Sequence, residues 1–390
     1  MGKAVFDVEL LHAEDTNNHP CVSLALPATP WELADALDAL RLDNGGMIVD
    51  VLDYHGYDFL DEHLAPRENI YALNELAKRL SEWNDVQRET FRGMVSLEKP
   101  GEDHCLPTLI NIAYSENSYN VAFGAVDDEK LGRFYVDGGF VPETDDLTDA
   151  QCELLDYAKI GRNMREGENG TFTAVGYVVK TSEIEEVYPS LDLKPGKPDY
   201  AVLLKLTAED IGQTTMLKPP ASQADLDAAL SLLGRENWHD VSYTCEDCRV
   251  PALKEAISVT EVMSIPYHAA RILDKLGDRE LVKYKAILEA RGFDSLADAL
   301  DVAETLDEYI YAPEFASYED IARGEIGVTV SDETAKLLLP FVSLTDFGKA
   351  VAEHDRLVLT GYGGVERRDS QPIQTVTAEN EPAMGGMEMM

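Results

Sequence analysis

The residues of this chain with the clearest potential for chemistry are two cysteines in the sequence Cys245-Glu246-Asp247-Cys248. A CxxC pair can bind zinc or exchange a disulfide, and His239 lies six residues upstream as a further potential ligand. A structural zinc site needs about four ligands, however, and the sequence holds no second CxxC. We therefore interpret Cys245 and Cys248 as surface or half-buried cysteines without a chemical role.

The eight histidines and the common catalytic motifs give no stronger signal. No two histidines stand at a spacing typical of metal ligands, and all are expected to be solvated in loops. The sequence contains no P-loop, no GxGxxG after a strand, no HExxH, no GxSxG and no EF-hand loop. Carboxylates are so numerous that some lie close by chance, which does not indicate paired-carboxylate catalysis. The sequence thus predicts a protein that is not an enzyme and that has no metal and no cofactor.

The excess of acid is the most unusual property of the chain. Asp and Glu number 73 against 33 Lys and Arg, which gives a net charge of −40. A hydrophobic content of 45% argues against the disorder that high charge otherwise favours. Direct binding of nucleic acid is excluded, because that requires a Lys/Arg surface that neutralises phosphates. Halophilic adaptation or a cationic partner remains as an explanation, since self-repulsion destabilises a compact acidic protein.

Acid follows the polar faces of predicted helices, as at Glu32, Asp35 and Asp38 or at Glu75 and Glu82. It is densest in two regions, and we predict that these carboxylates contact the partner. Those of the first half are Asp127, Asp128, Glu129, Asp137, Glu143, Asp145, Asp146, Asp149, Glu153 and Asp156. Those of the second half are Glu304, Asp307, Glu308, Glu319, Asp320 and Glu325.

The elements that position these acids recur along the chain, and this indicates a tandem duplication. KAVFDVELL (3–11) and KPDYAVLLKL (197–206) alternate apolar and polar residues, as half-buried strands do. LPATPWELADALDAL (26–40) and PPASQADLDAALSLL (219–233) place Thr or Ser three residues before an acid. That spacing predicts a capping box at the start of an amphipathic helix in each half.

The fold class is predicted to be α+β, as an elongated multi-domain chain of two tandem copies. Each copy consists of a small α+β unit, a helical bundle and a second small α+β unit. The predicted boundaries are 1–65, 66–125 and 126–187 in the first copy, then 199–249, 250–315 and 316–366 in the second. Residues 188–198, with three prolines and a glycine, form the predicted linker. Residues 367–390 are expected to be a disordered tail.

The chain is expected to be soluble and cytoplasmic. No stretch approaches the ~20 apolar residues of a membrane span, and the amino terminus lacks the pattern of a secretory signal. Five cysteines do not form a disulfide framework, which is typical of a reducing compartment.

Several segments resemble the ArdA family of antirestriction proteins. DYAKIGRNM (156–164), GTF (170–172) and GYV (176–178) are similar to its carboxy-terminal signature, and LGRFYVDGGFVPETDDL (131–147) is similar to its short antirestriction motif. DYHG (53–56) resembles a turn of the same family. The resemblance covers residues 3–181, and it extends to 199–366 only through the duplication.

The second half departs from the family signature at several positions, among them Gly138-Gly139, which is lost in RGEIGVTV (323–330), where Gly324 and Gly327 are candidate replacements. Lys349 stands where the first half has Arg162, and Thr345 or Asp346 stands where it has Tyr157. The second copy is therefore expected to keep the acidic character of the family and to lose some specific contacts.

The resemblance implies a DNA mimic that occupies the DNA-binding groove of type I restriction–modification enzymes, on the specificity and methyltransferase subunits. It also implies an origin on a mobile genetic element, and either a monomer that acts as a pseudo-dimer or a homodimer. One negative charge per ~1.7 Å of duplex makes 40 charges equal to roughly 20 base pairs, or about 70 Å. Two alternatives stay open: a DNA mimic directed at a CRISPR effector or another defence nuclease, and a non-inhibitory acidic adaptor for basic proteins.

Overall fold

The computed structural model describes residues 3–13, 21–41, 46–64, 69–100, 105–144, 147–193, 197–258 and 264–376. About 51% of the described residues are helical and 18% are in strands, and the sheets are small and three-stranded. The α+β class predicted from the sequence is thereby confirmed.

The helices and strands are named here in chain order. In the first half they are β1 (Phe6–His12), β2 (Val22–Leu26), α1 (Pro30–Leu40), β3 (Met47–Asp53), α2 (Ile70–Ser81), α3 (Asp85–Glu98), α4 (Cys105–Tyr114), β4 (Tyr119–Phe123), α5 (Asp128–Asp137), α6 (Asp149–Cys152), α7 (Tyr157–Glu168), β5 (Thr171–Phe172) and β6 (Gly176–Lys180). In the second half they are β7 (Val202–Ala208), β8 (Gln213–Leu217), α8 (Gln223–Leu232), β9 (Val241–Cys248), α9 (Lys254–Ser258), α10 (Ser264–Lys275), α11 (Asp278–Arg291), α12 (Leu296–Glu304), β10 (Tyr309–Ala312), α13 (Tyr318–Thr329), α14 (Asp332–Leu338), α15 (Leu344–Asp355), β11 (Val358–Thr360) and β12 (Gly363–Arg367).

The chain forms two compact units that do not coincide with its two halves. Unit 1 consists of residues 1–9, 23–28 and 48–195, and unit 2 consists of residues 10–22, 29–47 and 196–390. Helix α1 therefore belongs to unit 2, although it lies near the start of the sequence.

Unit 1 has a helical core formed by α2, α3 and α4. Helix α2 begins after Asn69, whose side-chain oxygen accepts hydrogen bonds from the amides of Tyr71 and Ala72. Its apolar residues recur at helical spacing, and the buried ones include Leu73 and Leu80. Asn74 on the same helix is buried because its amide pairs with the Ala28 backbone, at 2.7 and 3.1 Å.

The last part of unit 1 combines helices α5 and α7 with a sheet of order β4-β6-β5. The two helices cross at glycines. A Cβ atom built at Gly132 would lie 1.9 Å from the Tyr157 carbonyl oxygen, and one at Gly161 would lie 1.9 Å from the Asp128 carbonyl oxygen. Only glycine permits this approach, so the crossing fixes how α5 and its carboxylates are held.

Unit 2 contains two sheets, of order β8-β7-β9 and β10-β12-β11. Strand β7 has a strictly alternating pattern of burial, and its inward side chains join a core that includes Leu273, Tyr284 and Ile287. Helices α13 and α15 meet where Gly348 contacts the Tyr318 backbone: a Cβ atom there would lie 1.7 Å from the carbonyl oxygen.

The order of elements in the first half recurs in the second. Each half begins with a sheet whose first strand is central (β2-β1-β3 and β8-β7-β9), and ends with a sheet of the same relative order (β4-β6-β5 and β10-β12-β11). Thr29 and Glu32 form the predicted capping box of α1, and Ser222 and Asp225 form that of α8. The capping predictions are therefore confirmed.

Two boundaries differ from the predicted ones. Strand β4 lies within the predicted helical segment 66–125, and β10 lies within 250–315, yet each pairs with a strand of the α+β part that follows it. The prediction missed them because both strands are short and follow helices directly. The start of the predicted linker is held by hydrogen bonds, because Asn111 Oδ1 accepts from the amides of Val187 and Tyr188.

The predicted disordered tail does not begin at residue 367. Arg367 is the last residue of β12, and the chain then continues to the end of α11, where the Val376 amide donates to the Arg291 carbonyl at 2.7 Å. Ile373 packs against the core of unit 2. Residues 377–390 lie outside the described part of the chain. In the part that is described, every helix is too short or too polar to cross a bilayer.

Candidate interaction surface

Four of the predicted carboxylates of the first half, Asp127, Asp128, Glu129 and Asp137, lie on helix α5 or at its cap. Asp127 caps this helix, and its side chain accepts a hydrogen bond from the Lys130 amide at 2.8 Å. Glu129 is exposed in the first turn, 3.3 Å from Arg133, and Asp137 is exposed in the last turn. Acid near a helix amino terminus is favoured by the helix dipole, so Asp127 and Glu129 also stabilise α5.

Asp128 has a different role from its neighbours. Arg165 on α7 donates two hydrogen bonds to its carboxylate, at 2.8 and 3.2 Å, and Arg162 lies 3.6 Å away. The Arg165 guanidinium holds the pKa of Asp128 below its usual range. Asp128 therefore links α5 to α7, and its charge is already compensated within the unit.

Three further acids of this region are exposed. Glu143 lies in a short 3-10 helix, Glu153 follows α6, and Asp156 caps α7 by accepting a hydrogen bond from the Lys159 amide at 3.0 Å. Asp145 and Asp146 lie outside the described residues, and so does the side chain of Asp149. The region thus presents at least six exposed carboxylates: Asp127, Glu129, Asp137, Glu143, Glu153 and Asp156.

The predicted carboxylates of the second half fall into two groups. Glu304, Asp307 and Glu308 are exposed at the end of α12 and in the 3-10 turn that follows. Only Glu308 has a nearby cation among the ion pairs of the described residues, with Arg367 3.7 Å away. This group remains available to a partner.

The other group is half-buried and bonded within unit 2. Asp320 closes the capping box of α13 with Ser317, and Glu319 contacts Arg323 at 3.3 Å. Glu325 accepts a hydrogen bond from the Thr329 hydroxyl at 2.7 Å. These three acids stabilise α13, so they are less suited to contact a partner than the prediction assumed.

The acidic face of α1 is not the solvated face that the sequence pattern suggested. Lys285, whose side chain is only 2% exposed, lies 2.7 Å from Asp35 and 2.9 Å from Asp38. Lys254 lies 2.6 Å from Glu32. All of these residues belong to unit 2. The carboxylates of α1 therefore compensate the charges of two buried lysines and do not form an exposed acidic face.

A buried carboxylate that the sequence analysis overlooked also holds α1. Asp247 accepts hydrogen bonds from the Thr29 hydroxyl at 2.6 Å and the Tyr200 hydroxyl at 2.8 Å, and from the amides of Trp31 and Cys248. Burial raises the pKa of Asp247. In the sequence, Asp247 is distinguished only by its place between the two cysteines. Its residue type does not separate it from the many other acids of the chain.

The cysteines beside Asp247 are not at the surface, in contrast to the interpretation given above. Cys245 is 7% exposed and Cys248 is fully buried at the end of β9. Burial raises the pKa of the Cys248 thiol, and its hydrogen bond with Cys245 does so further. A raised pKa disfavours the thiolate that metal binding and disulfide exchange require.

Some histidines also differ from the solvated state that was expected. His12 is buried in β1. His55 lies between two acids, with Nε2 3.0 Å from Asp7 and Nδ1 3.8 Å from Asp53. Asp7, Asp53 and His55 place potential metal-ligand atoms within 4.8 Å of one another. The short contact between Asp7 and His55 is explained as well by an ion pair as by a metal site.

The exposed acids of each unit are therefore the described residues with the clearest capacity to bind a partner. They carry negative charge, and exposed negative charge attracts a cationic partner over a Debye length of about 8–10 Å. No protein-family model matches the chain, and a search of curated proteins finds no significant match.

Proposed function

We propose that this chain is an acidic mimic of duplex DNA that occupies the DNA-binding groove of a type I restriction–modification enzyme. The observation that supports this most directly is the set of exposed carboxylates around α5 and α7, in a chain with a net charge of −40. A groove that binds phosphates through Lys and Arg is complementary to such a surface. Electrostatic steering makes the association fast and sensitive to salt.

The proposal includes a tandem origin and a cellular setting. The recurring order of elements supports a duplication that supplies two acidic regions in one polypeptide. A mobile genetic element would carry the protein, which would act in the cytoplasm of the bacterial host without enzymatic activity. Sedimentation tests whether one chain suffices: a monomer at low micromolar concentration supports the pseudo-dimer, and a homodimer removes that rationale for the duplication.

A competition experiment tests the function. The full chain is titrated into a type I methyltransferase with its specificity subunit, bound to labelled duplex DNA, at a low and a high salt concentration. We expect displacement at near-stoichiometric protein in low salt, and weaker displacement in high salt because exposed charges are screened. A basic protein that does not bind DNA serves as a control: equal binding to it would instead indicate a general acidic adaptor.

A block of substitutions sharpens the test. Glu129→Gln, Asp137→Asn, Glu143→Gln and Glu153→Gln remove four exposed charges that do not cap helices. Since an exposed ion pair contributes roughly 0.2–1 kcal/mol, the block is expected to weaken displacement about tenfold. Asp128→Asn is the control: it removes a carboxylate from the same region, but one whose charge Arg165 already compensates. If displacement fails with the unaltered chain, the same titration with a CRISPR effector tests the other class of target.

A further inference from the structure

Three aromatic side chains form an exposed cluster at the carboxy-terminal end of α5. Phe134 and Phe140 are stacked, with ring centroids 6.0 Å apart and an interplanar angle of 18°. Tyr135 meets Phe140 edge-on at 5.9 Å. Phe134 is 40% exposed and Phe140 is 57% exposed. This arrangement leaves much of both phenylalanine rings in water.

The turn after α5 holds the stack in place. The amides of Gly138 and Phe140 donate to the carbonyls of Phe134 and Tyr135, at 3.0 and 2.8 Å. Gly139 has φ = +69°, which favours glycine. A Cβ atom at Gly138 would lie 2.5 Å from the Phe140 ring. Two glycines are thus used to bring Phe140 back over Phe134.

The stacked pair of phenylalanines is particular to the first half, whereas Tyr135 also packs against the core beside β6. Helix α13 occupies the same place in the second half, and it packs on α15 as α5 packs on α7. At an offset of 190 residues, Phe134 corresponds to Gly324 and Phe140 to Val330. The exposed pair of phenylalanines is therefore not part of the recurring pattern, although the ring of Phe315 lies beside Gly324 in the second half.

Carboxylates accompany the exposed rings. Asp137 lies between Phe134 and Phe140 in the sequence, and Glu143 follows in the next turn; both are exposed. The arginines nearby are used elsewhere, since Arg133 lies over Tyr157 and Arg165 over Phe172. None of the cation–ring contacts found among the described residues involves Phe134 or Phe140.

We infer that the surface formed by Phe134, Tyr135, Asp137, Phe140 and Glu143 binds an arginine side chain of the partner protein. A guanidinium group is planar, stacks on aromatic faces and pairs with a carboxylate at its edge, whereas the ammonium of lysine is a compact and strongly hydrated charge. Arginine is also common where proteins bind phosphates. The identity of the partner as a DNA-binding protein rests on the proposed function; the preference for arginine rests on this cluster alone.

Fluorine NMR of the full chain tests the inference without a restriction enzyme. The eleven phenylalanines are replaced by 4-fluorophenylalanine, and Phe134→Leu and Phe140→Leu identify the two signals. The protein is titrated with an oligo-arginine peptide and an oligo-lysine peptide of the same length, at moderate salt. We expect both signals to shift with the arginine peptide, at an apparent affinity about fivefold higher than with the lysine peptide.

Exposed phenylalanines outside the cluster are internal controls in the same spectra. Phe123 is 64% exposed and Phe341 is 88% exposed, and their signals should respond to the two peptides alike. Equal responses of all four residues, or no arginine preference at Phe134 and Phe140, would overturn the inference. So would a shift of these two signals with protein concentration alone, because a second copy would then cover the surface.

The outcome separates this inference from the proposed function. An arginine preference together with failed competition against the methyltransferase would retain the surface and reject that enzyme as the target. Successful competition without an arginine preference would retain the DNA mimic and reject the role of the aromatic cluster.

Discussion

Helices α1 and α8 begin with the same capping box and end in different surroundings. Each helix starts after a Thr or Ser whose hydroxyl oxygen accepts a hydrogen bond from the backbone amide three residues later. Five side chains of α1 are buried, among them Trp31 and Leu40, whereas α8 buries only Ala229 among its own residues. Leu232 on α8 remains 67% exposed.

Three positions account for the difference. Trp31, Asp35 and Asp38 of α1 anchor it in unit 2, and the corresponding residues of α8, counted from the cap, are Ala224, Ala228 and Ser231. An indole and two carboxylates are thus replaced by small side chains. The comparison teaches that a shared local signal places a helix in the sequence, while a few long-range partners decide whether it is docked.

The largest expected effect is that of Trp31→Ala. The Trp31 indole donates to the Tyr200 carbonyl at 2.9 Å and stacks near Arg249, and the side chain is 4% exposed. We expect the free energy of unfolding of unit 2 to fall by about 4 kcal/mol, measured by urea denaturation followed by circular dichroism. Leu232→Ala on α8 is the control and should cost less than about 1 kcal/mol. A similar cost for both would show that α1 is not docked more firmly than α8.

Lys285→Met should have the next largest effect. Removing one partner of a buried ion pair leaves the others uncompensated, which costs about 3 kcal/mol, and Asp35 and Asp38 would both lose their cation. Lys275→Met, at an exposed position of α10, should stay within about 0.5 kcal/mol of the parent. The combined change of Lys285→Met with Asp35→Leu and Asp38→Leu should regain much of the loss; no recovery would contradict the ionic anchor.

The two caps provide a closer comparison. Ser222→Ala should cost about 1 kcal/mol, as is typical for a capping residue. Thr29→Ala should cost about 2 kcal/mol, because its hydroxyl also donates to the buried Asp247 at 2.6 Å. Thermal unfolding of both variants against the parent measures the difference. Equal costs would mean that Asp247 does not stabilise the amino terminus of α1.

The smallest effect concerns the pH dependence of Asp247. Burial raises its pKa above the ordinary value of 3.8, so the folded state binds this proton more tightly than the unfolded state. Stability from this group is therefore present below pH 3.8 and is lost as the pH rises through the raised pKa. Unfolding of Asp247→Asn and of the parent across this range should show the free energy of unfolding of the variant rising relative to that of the parent as the pH rises. A constant difference would mean that Asp247 does not titrate abnormally.

The sequence was sufficient for features set by nearby residues. The capping boxes at Thr29 and Ser222, the alternating strands and the α+β class all follow from patterns within a few residues, and the structure confirms them. The short strands β4 and β10 were missed because their hydrogen bonds go to β6 and β12, more than 50 residues away.

The sequence was insufficient where an acid meets a distant cation. In the sequence pattern of a helix, Asp35 cannot be told apart from an acid that faces water. Only its contact with Lys285, some 250 residues later in the chain, shows that it is paired. The same holds for Asp128, which Arg165 occupies, and for Asp137, which is exposed. Which carboxylates of the candidate surface are available therefore depends on tertiary contacts that composition does not encode.

The membership of α1 in unit 2 has a consequence for how the chain folds as it is made. Arg41 donates hydrogen bonds to the carbonyls of Gly361 and Phe315, and 320 residues separate Arg41 from Gly361. At a synthesis rate of roughly 5–20 residues per second, the ribosome needs about 15–60 s to produce that interval. For more than half of this time the indole of Trp31 and the acid of α1 are without the partners that later bury them, because 169 residues separate Trp31 from Tyr200 and 247 separate Asp38 from Lys285. The contacts of Arg41 in unit 2 can form only when residue 361 has emerged, so α1, although made early, is among the last helices to reach its final position.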